Sequence, residues 1–218
     1  MLFNFFSDPV NIILVIMAVI VSIVLHEIAH AYIALKNGDD TAKRMGRLSF
    51  NPLVHFEPTG FLMMILLGFG FAKPVPVNPF NYRNYRWGNF WVSIAGVLTN
   101  LILGFIFSLA YFLMVHYVAN ENGAFANDWL WGVTIFFQFM MAINIMLMIF
   151  NLIPVPPLDG YNMLKSMTRP DNRYMHWARN NQHWLIMAVL LIAMFTGAIW
   201  HLREGIIWIF MSLWGLMF

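Results

Sequence analysis

The feature that most limits how this chain can fold is its first apolar run, Pro9 to Leu35, which carries His26-Glu27-Ile28-Ala29-His30 in its second half. The run exceeds the roughly 20 residues a helix needs to cross a bilayer. Backbone groups in hydrocarbon must satisfy one another, so a segment of this kind is a helix. On a helix, residues four apart share a face. His26 and His30 therefore present two imidazoles to one side, with Glu27 next to them. That spacing suits one metal ion, zinc first, with the glutamate as general base. Ionisable groups inside a span are costly and mark functional positions. A metal offsets that cost by using both neutral imidazoles.

The composition agrees with a chain that lives in the bilayer. Of 218 residues, 61% are hydrophobic and 10% charged, against about 25% charged in an ordinary soluble domain. Cysteine is absent, so His, Asp and Glu are the available metal ligands and a thiol nucleophile is excluded. The formal charge of +2 is too small to argue for a nucleic-acid partner. The opening, Met1 to Asp8, lacks the positive region of a signal peptide, so the first run is read as a retained span.

Taken in order, the chain reads as a single membrane-embedded domain over residues 1–218, an all-α polytopic membrane protein. Its core spans are expected over about 9–35, 90–117 and 129–152. Residues 60–72 are apolar but short, which predicts a re-entrant segment. Lys73-Pro-Val-Pro-Val-Asn-Pro79 has prolines at alternate positions, which forbid helix and predict a short extended, β-like loop. Two C-terminal segments follow, 184–200 as a marginal span and 205–218 as a tilted span or an interfacial helix. The loops 36–58, 73–88 and 160–183 are basic, and 118–128 has no Lys or Arg. The positive-inside rule then puts the basic loops in the cytoplasm and the N-terminus outside. His26 and His30 come to lie roughly 8–14 Å above the cytoplasmic end of the first span. Asn100 and Asp159 reach a similar level from the other core spans.

A catalytic zinc wants three protein ligands and an open position. The best candidate for the third is Asp159, in Asn151-Leu-Ile-Pro-Val-Pro-Pro-Leu-Asp-Gly160. The prolines predict that its carboxylate stands on irregular backbone, with Gly160 allowing a tight turn after it. Asp159 can equally be a turn residue before glycine. Asn100 can be an oxyanion donor or an interspan hydrogen bond. Asn144 is a weaker donor candidate with the same structural alternative. His55 can line the site or cap a turn.

His-Glu-x-x-His in one span, Gly96-x-x-x-Asn100 in the next and Asn-x-x-Pro-x-Pro-x-Leu-Asp-Gly after the third resemble the site-2 protease family of intramembrane zinc metalloproteases. Asn51-Pro-Leu-Val-His55 and Phe71 to Pro79 resemble further segments of that family. The resemblance implies a compact prokaryotic member without a PDZ domain. It implies one Zn2+ held by His26, His30 and Asp159, Glu27 as general base and acid, and Asn100 as a donor to the oxyanion. Val97, Tyr161 and Glu57 stand where the family commonly has Pro, Gly and Asp. The expected activity is hydrolysis of peptide bonds in or near membrane spans, of a single-span protein or a signal-peptide-like remnant. The expected location is a prokaryotic cell membrane with the site toward the cytoplasm, as a single chain or an oligomer. The extended stretch 72–78 is expected to pair with an unwound substrate strand by edge addition. Two rivals stand beside this reading. One is a membrane zinc protease whose third ligand is a Glu. The other is a catalytically silent metal-binding scaffold or transporter, against which Glu27 argues, since a metal carrier needs no base.

Overall fold

The computed structural model describes residues 8–60, 73–119, 125–169 and 172–218. Its long elements are α1 (Pro9–Lys36), α3 (Tyr85–Leu113, closing in a π-turn over Met114–Val118) and α4 (Asp128–Asn151). All three are long and apolar enough to cross a membrane. Between α1 and α3 lies the one-turn helix α2 (Thr41–Arg44). After α4 come α5 (Asp159–Met167), α6 (Arg173–Asn180), α7 (Gln182–Thr196) and α8 (Ala198–Met217). No strand forms among the described residues. The chain is thus an all-α, multi-pass membrane protein, as its apolar runs required.

The helices group into two compact units. One holds the chain up to Ser22, Asn100–Phe150 and Ile192–Phe218; the other holds Ile23–Thr99 and Asn151–Leu191. In the first unit, apolar packing is interrupted by two polar contacts. The buried Asn144 amide donates to Ser22 Oγ at 2.8 Å and to the Met140 carbonyl at 2.7 Å. The indole of Trp214 donates to Ser108 Oγ at 2.9 Å. Phe105 packs edge-to-face against Phe210 and at a tilt against Trp214. Gly104 lets Ile145 in, since a methyl group there would lie 2.9 Å from its Cγ1.

The second unit is built on glycine-capped turns. Helix α1 stops in a Schellman motif, with Gly38 at φ +106°, its amide on the Leu35 carbonyl and the Asp39 amide on that of Ala34. Helix α2 stops in the same way, with Gly46 at φ +67° and the Arg47 amide on the Ala42 carbonyl. Each glycine takes a left-handed conformation that other residues avoid. The residue that follows it, Asp39 or Arg47, is turned back toward the unit and buried. Arg86 near the start of α3 donates to the carbonyls of Ser166 and Met167 at the end of α5, at 2.6 and 2.9 Å. Last-turn carbonyls lack intrahelical partners, and Arg86 supplies one.

Several expectations are corrected. The 160–183 stretch, read as a loop, contains α5 and α6. Helix α5 is amphipathic and packs Tyr161 against Met175 and Ala178 of α6. Tyr161 also donates its hydroxyl to the Met175 carbonyl at 3.0 Å, which gives that departure from the family pattern a local reason. The C-terminal break falls at Gly197 (φ +64°) rather than near 201–204, and α8 runs straight through Arg203 and Glu204. Helices α7 and α8 are bent by 63° there and together form either a broken span or a re-entrant loop, so the described residues hold three candidate spans, or four if the pair is one. The segment 73–78 is extended but joins no sheet. The re-entrant segment expected over 60–72 lies, apart from Gly60, outside the described residues.

Candidate metal centre

Two stripes of α1 face two different neighbours. His26, His30 and Ala34 are spaced by four and turn to the first half of α3. Glu27 and Ala31 form the adjoining stripe and turn to the extended strap 73–78. Small residues make both approaches close. Ala34 packs with Val92 and Tyr82, and Ala31 with Val75 and Ala42.

On the first stripe the imidazoles converge. His26 Nε2 and His30 Nε2 are 2.9 Å apart, and each lies 3.2 Å from Asp159 Oδ2. The three side chains are only 10%, 12% and 16% exposed. They form the one cluster of three possible metal-ligating groups among the described residues. A tetrahedral zinc with bonds near 2.0–2.1 Å sets its ligand atoms about 3.3 Å apart. The observed triangle is within a few tenths of an ångström of that, so these residues fit the ion. The tautomers fit too. His30 Nδ1 lies 2.6 Å from the Val92 carbonyl, which only accepts, so Nδ1 carries the proton and Nε2 keeps its lone pair for a metal.

Gly96 completes the cradle. A methyl group on it would sit 2.4 Å from His26 Cε1 and 2.6 Å from each Nε2. The helix α3 can pass beneath two imidazoles only because a hydrogen stands there.

Asp159 is not on irregular backbone, as expected, but is the first residue of α5, where a carboxylate suits the helix dipole. Gly160 does not make a tight turn either. It is helical, and a methyl group on it would lie 2.3 Å from the Leu152 carbonyl oxygen. Its role is to let the first turn of α5 press against the end of α4, which carries Asp159 to the histidines.

On the second stripe, Glu27 Oε2 accepts the Val75 amide at 2.8 Å. The strap is fastened on both sides of that bond. Arg47 donates to the Lys73 and Pro74 carbonyls at 2.6 and 3.2 Å. The Lys73 amide donates to the His55 carbonyl at 3.0 Å. Asp39 accepts from the Asn78 amide at 2.6 Å, the Asn81 side-chain amide at 2.8 Å and the Thr41 hydroxyl at 2.5 Å. Burial alone would raise the Asp39 carboxyl; these donors pull it below its ordinary value. The Val75 amide therefore points inward at Glu27. The Val75 amide is thus used inside the protein.

The remaining candidates are placed as follows. Asn100 is fully buried one helical turn beyond Gly96 on α3, in the other compact unit. Asn144 is committed to Ser22 and Met140 and ties spans together. His55 is buried, donates Nε2 to the Ser49 carbonyl at 2.9 Å and is not among the converging ligands. Asp39 and Arg47 were not singled out in the sequence, and Gly96 stood there only as the start of the Gly-x-x-x-Asn segment. The visible signal for the first two was a glycine followed at once by a charged residue, in Asn37-Gly-Asp39 and Met45-Gly-Arg47.

A membrane-spanning helix whose two histidines meet a carboxylate from a later segment, with a glutamate on the adjoining stripe, defines a membrane-embedded metallopeptidase. The comparisons agree. Residues 14–195 match peptidase family M50, and the chain belongs to that family. It is 39% identical over 81% of its length to "Putative zinc metalloprotease YwhC" of Bacillus subtilis, covering 79% of that protein. It is 30% identical to "Putative zinc metalloprotease Rip2" of Mycolicibacterium smegmatis, over 83% of this chain and 67% of that one. A similar likeness, 30% over 73% of this chain and 75% of the relative, extends to "Putative zinc metalloprotease MJ0611" of Methanocaldococcus jannaschii. No solved structure matches the chain significantly.

Proposed function

We propose that this zinc metalloprotease cleaves peptide bonds in or near the membrane spans of other proteins, with one zinc per chain held by His26, His30 and Asp159. The convergence of those three ligand atoms beside Glu27, on a helix that crosses the membrane, carries the reading. Bound there, zinc would supply an activated water and polarise the scissile carbonyl. Glu27 takes a proton from the attacking water and passes it to the leaving nitrogen. The family resemblance gives Asn100 the role of donor to the oxyanion. His30 keeps its orientation through Val92, and Gly96 leaves the imidazoles room. Basic loops on the side of the site support a cytoplasmic orientation in a prokaryotic cell membrane.

The substrate class follows from depth. Helix α1 is about 42 Å long at 1.5 Å per residue, and its histidines lie within its cytoplasmic half. A substrate there is a single-span protein or a signal-peptide remnant, and its own helix must unwind before water can reach the carbonyl. The test is cleavage of a model single-span substrate in liposomes by wild type and Glu27→Gln, with bound zinc measured in both. The expected result is zinc in both and a loss of roughly 10³-fold or more in the variant. Cleavage by the Glu27→Gln protein at the wild-type rate would remove Glu27 from its role. Zinc in both and cleavage in neither, over several substrates, would favour a silent metal-binding scaffold.

A further inference from the structure

We infer that Arg47 and Asp39 are positioning residues for Glu27, acting through the strap 73–78. The inference rests on the reading of Glu27 as general base. A glutamate on a helix has three side-chain torsions and sweeps a wide arc. Here one of its oxygens is fixed by a backbone donor, the Val75 amide. Among the described residues Glu27 Oε1 makes no hydrogen bond, so one oxygen is anchored while the other stays available for proton exchange.

The strap's sequence makes that anchor single-valued. Pro74 and Pro76 have no N–H, so Val75 carries the one backbone donor of the three residues. The strap cannot slip by one residue and offer Glu27 a substitute. Its height over α1 is set from both ends. Arg47 grips the carbonyls of Lys73 and Pro74, on one side of the donor. Asp39 grips the amide of Asn78, on the other. Both clamps occupy the same place in their turns, directly after a left-handed glycine that ends a helix. Neither touches the ligand triangle. Their effect on the reaction passes through the strap to the carboxylate, where an ångström of misplacement costs on the order of a hundredfold in rate.

The experiment uses the full chain in detergent or liposomes. Arg47→Ala is expected to lower kcat by roughly ten- to a hundredfold, with KM within about twofold and zinc content unchanged. Arg47→Lys is expected to recover part of the loss, because an ammonium can reach one carbonyl but lacks the guanidinium fork. A second readout needs no cleavage. Because its proline neighbours have no amide, deuterium uptake at Val75 can be followed alone. Uptake is expected to be slow in the wild type and faster in both Arg47→Ala and Glu27→Ala. Wild-type kcat in Arg47→Ala, a loss that appears in KM or in zinc content, or unchanged uptake in Glu27→Ala would each overturn the inference. A wild type that cleaves nothing would count against the proposed function, and the exchange measurement would still decide whether Arg47 and Glu27 share the strap.

Discussion

The two compact units hold themselves together by different means. The unit with Ile23–Thr99 fixes its backbone with charged side chains: Asp39 and Arg47 on the strap, Arg86 on the end of α5. The unit with Asn100–Phe150 and Ile192–Phe218 relies on aromatic packing around Phe105, with neutral pins at Asn144–Ser22 and Trp214–Ser108. A charge-assisted hydrogen bond is roughly twice as strong as a neutral one and aims more narrowly. A site whose atoms must be set to a few tenths of an ångström calls for the first kind. The unit that supplies none of the three ligand atoms manages with the second.

The largest break in this contrast is expected from Gly96→Ala. The added methyl group would lie within 2.6 Å of both imidazoles, so the ligand triangle must open. Zinc affinity should fall by roughly 10–100-fold, with cleavage falling at least as far. Zinc titration of the purified variant checks this, and wild-type affinity would mean that α3 can back away from the histidines.

A smaller loss is expected from Asp39→Asn, and it carries a pH signature. The carboxyl of Asp39 is depressed in the folded chain. Its stabilisation is therefore complete above the unfolded value of about 3.9 and is lost as pH falls through the lower folded value. Wild type should melt progressively earlier as pH drops below about 4. The variant should be less stable at neutral pH by about 2 kcal/mol and should lose part of that acid dependence. Melting temperatures across pH 3–8 (a range chosen to bracket roughly the unfolded value) test it. Asp40 and Arg44 lie near enough to Asp39 to bias the curve and belong in the control set.

The smallest effect is expected in the other unit. Asn144→Ala should cost roughly 0.6–2 kcal/mol in stability, in the range of interspan hydrogen bonds. Zinc content should stay at the wild-type level. A loss of zinc in Asn144→Ala would erase the distinction between the unit that holds the three ligands and the unit that holds none of them.

The spans and the ligands were legible in the sequence because each is a local statement. An apolar run is long enough or it is not, and two histidines four apart on a helix share a face. Asp159 was legible as a residue but not in its setting, since its position at the head of α5 depends on Gly160 closing against Leu152. Gly96 was quoted only as the start of a segment. Its importance is that of a missing side chain, which shows only when another helix is brought above it. Asp39 and Arg47 looked like ordinary loop charges. Half of their partners are backbone groups more than 25 residues away, and a backbone group has no signature in a string of letters.

The alternate prolines of the strap have a consequence for how the molecule keeps company. An extended segment at a membrane surface is a template on which a second chain can lay down a ladder, and repeated pairing of that kind leads to aggregation. Here two of the six residues from 73 to 78 have no donor, and Lys73, Val75 and Asn78 spend theirs inside the protein. Val77 alone retains an amide without a partner among the described residues. With one free donor left, the strap is a poor template for a ladder of copies of itself.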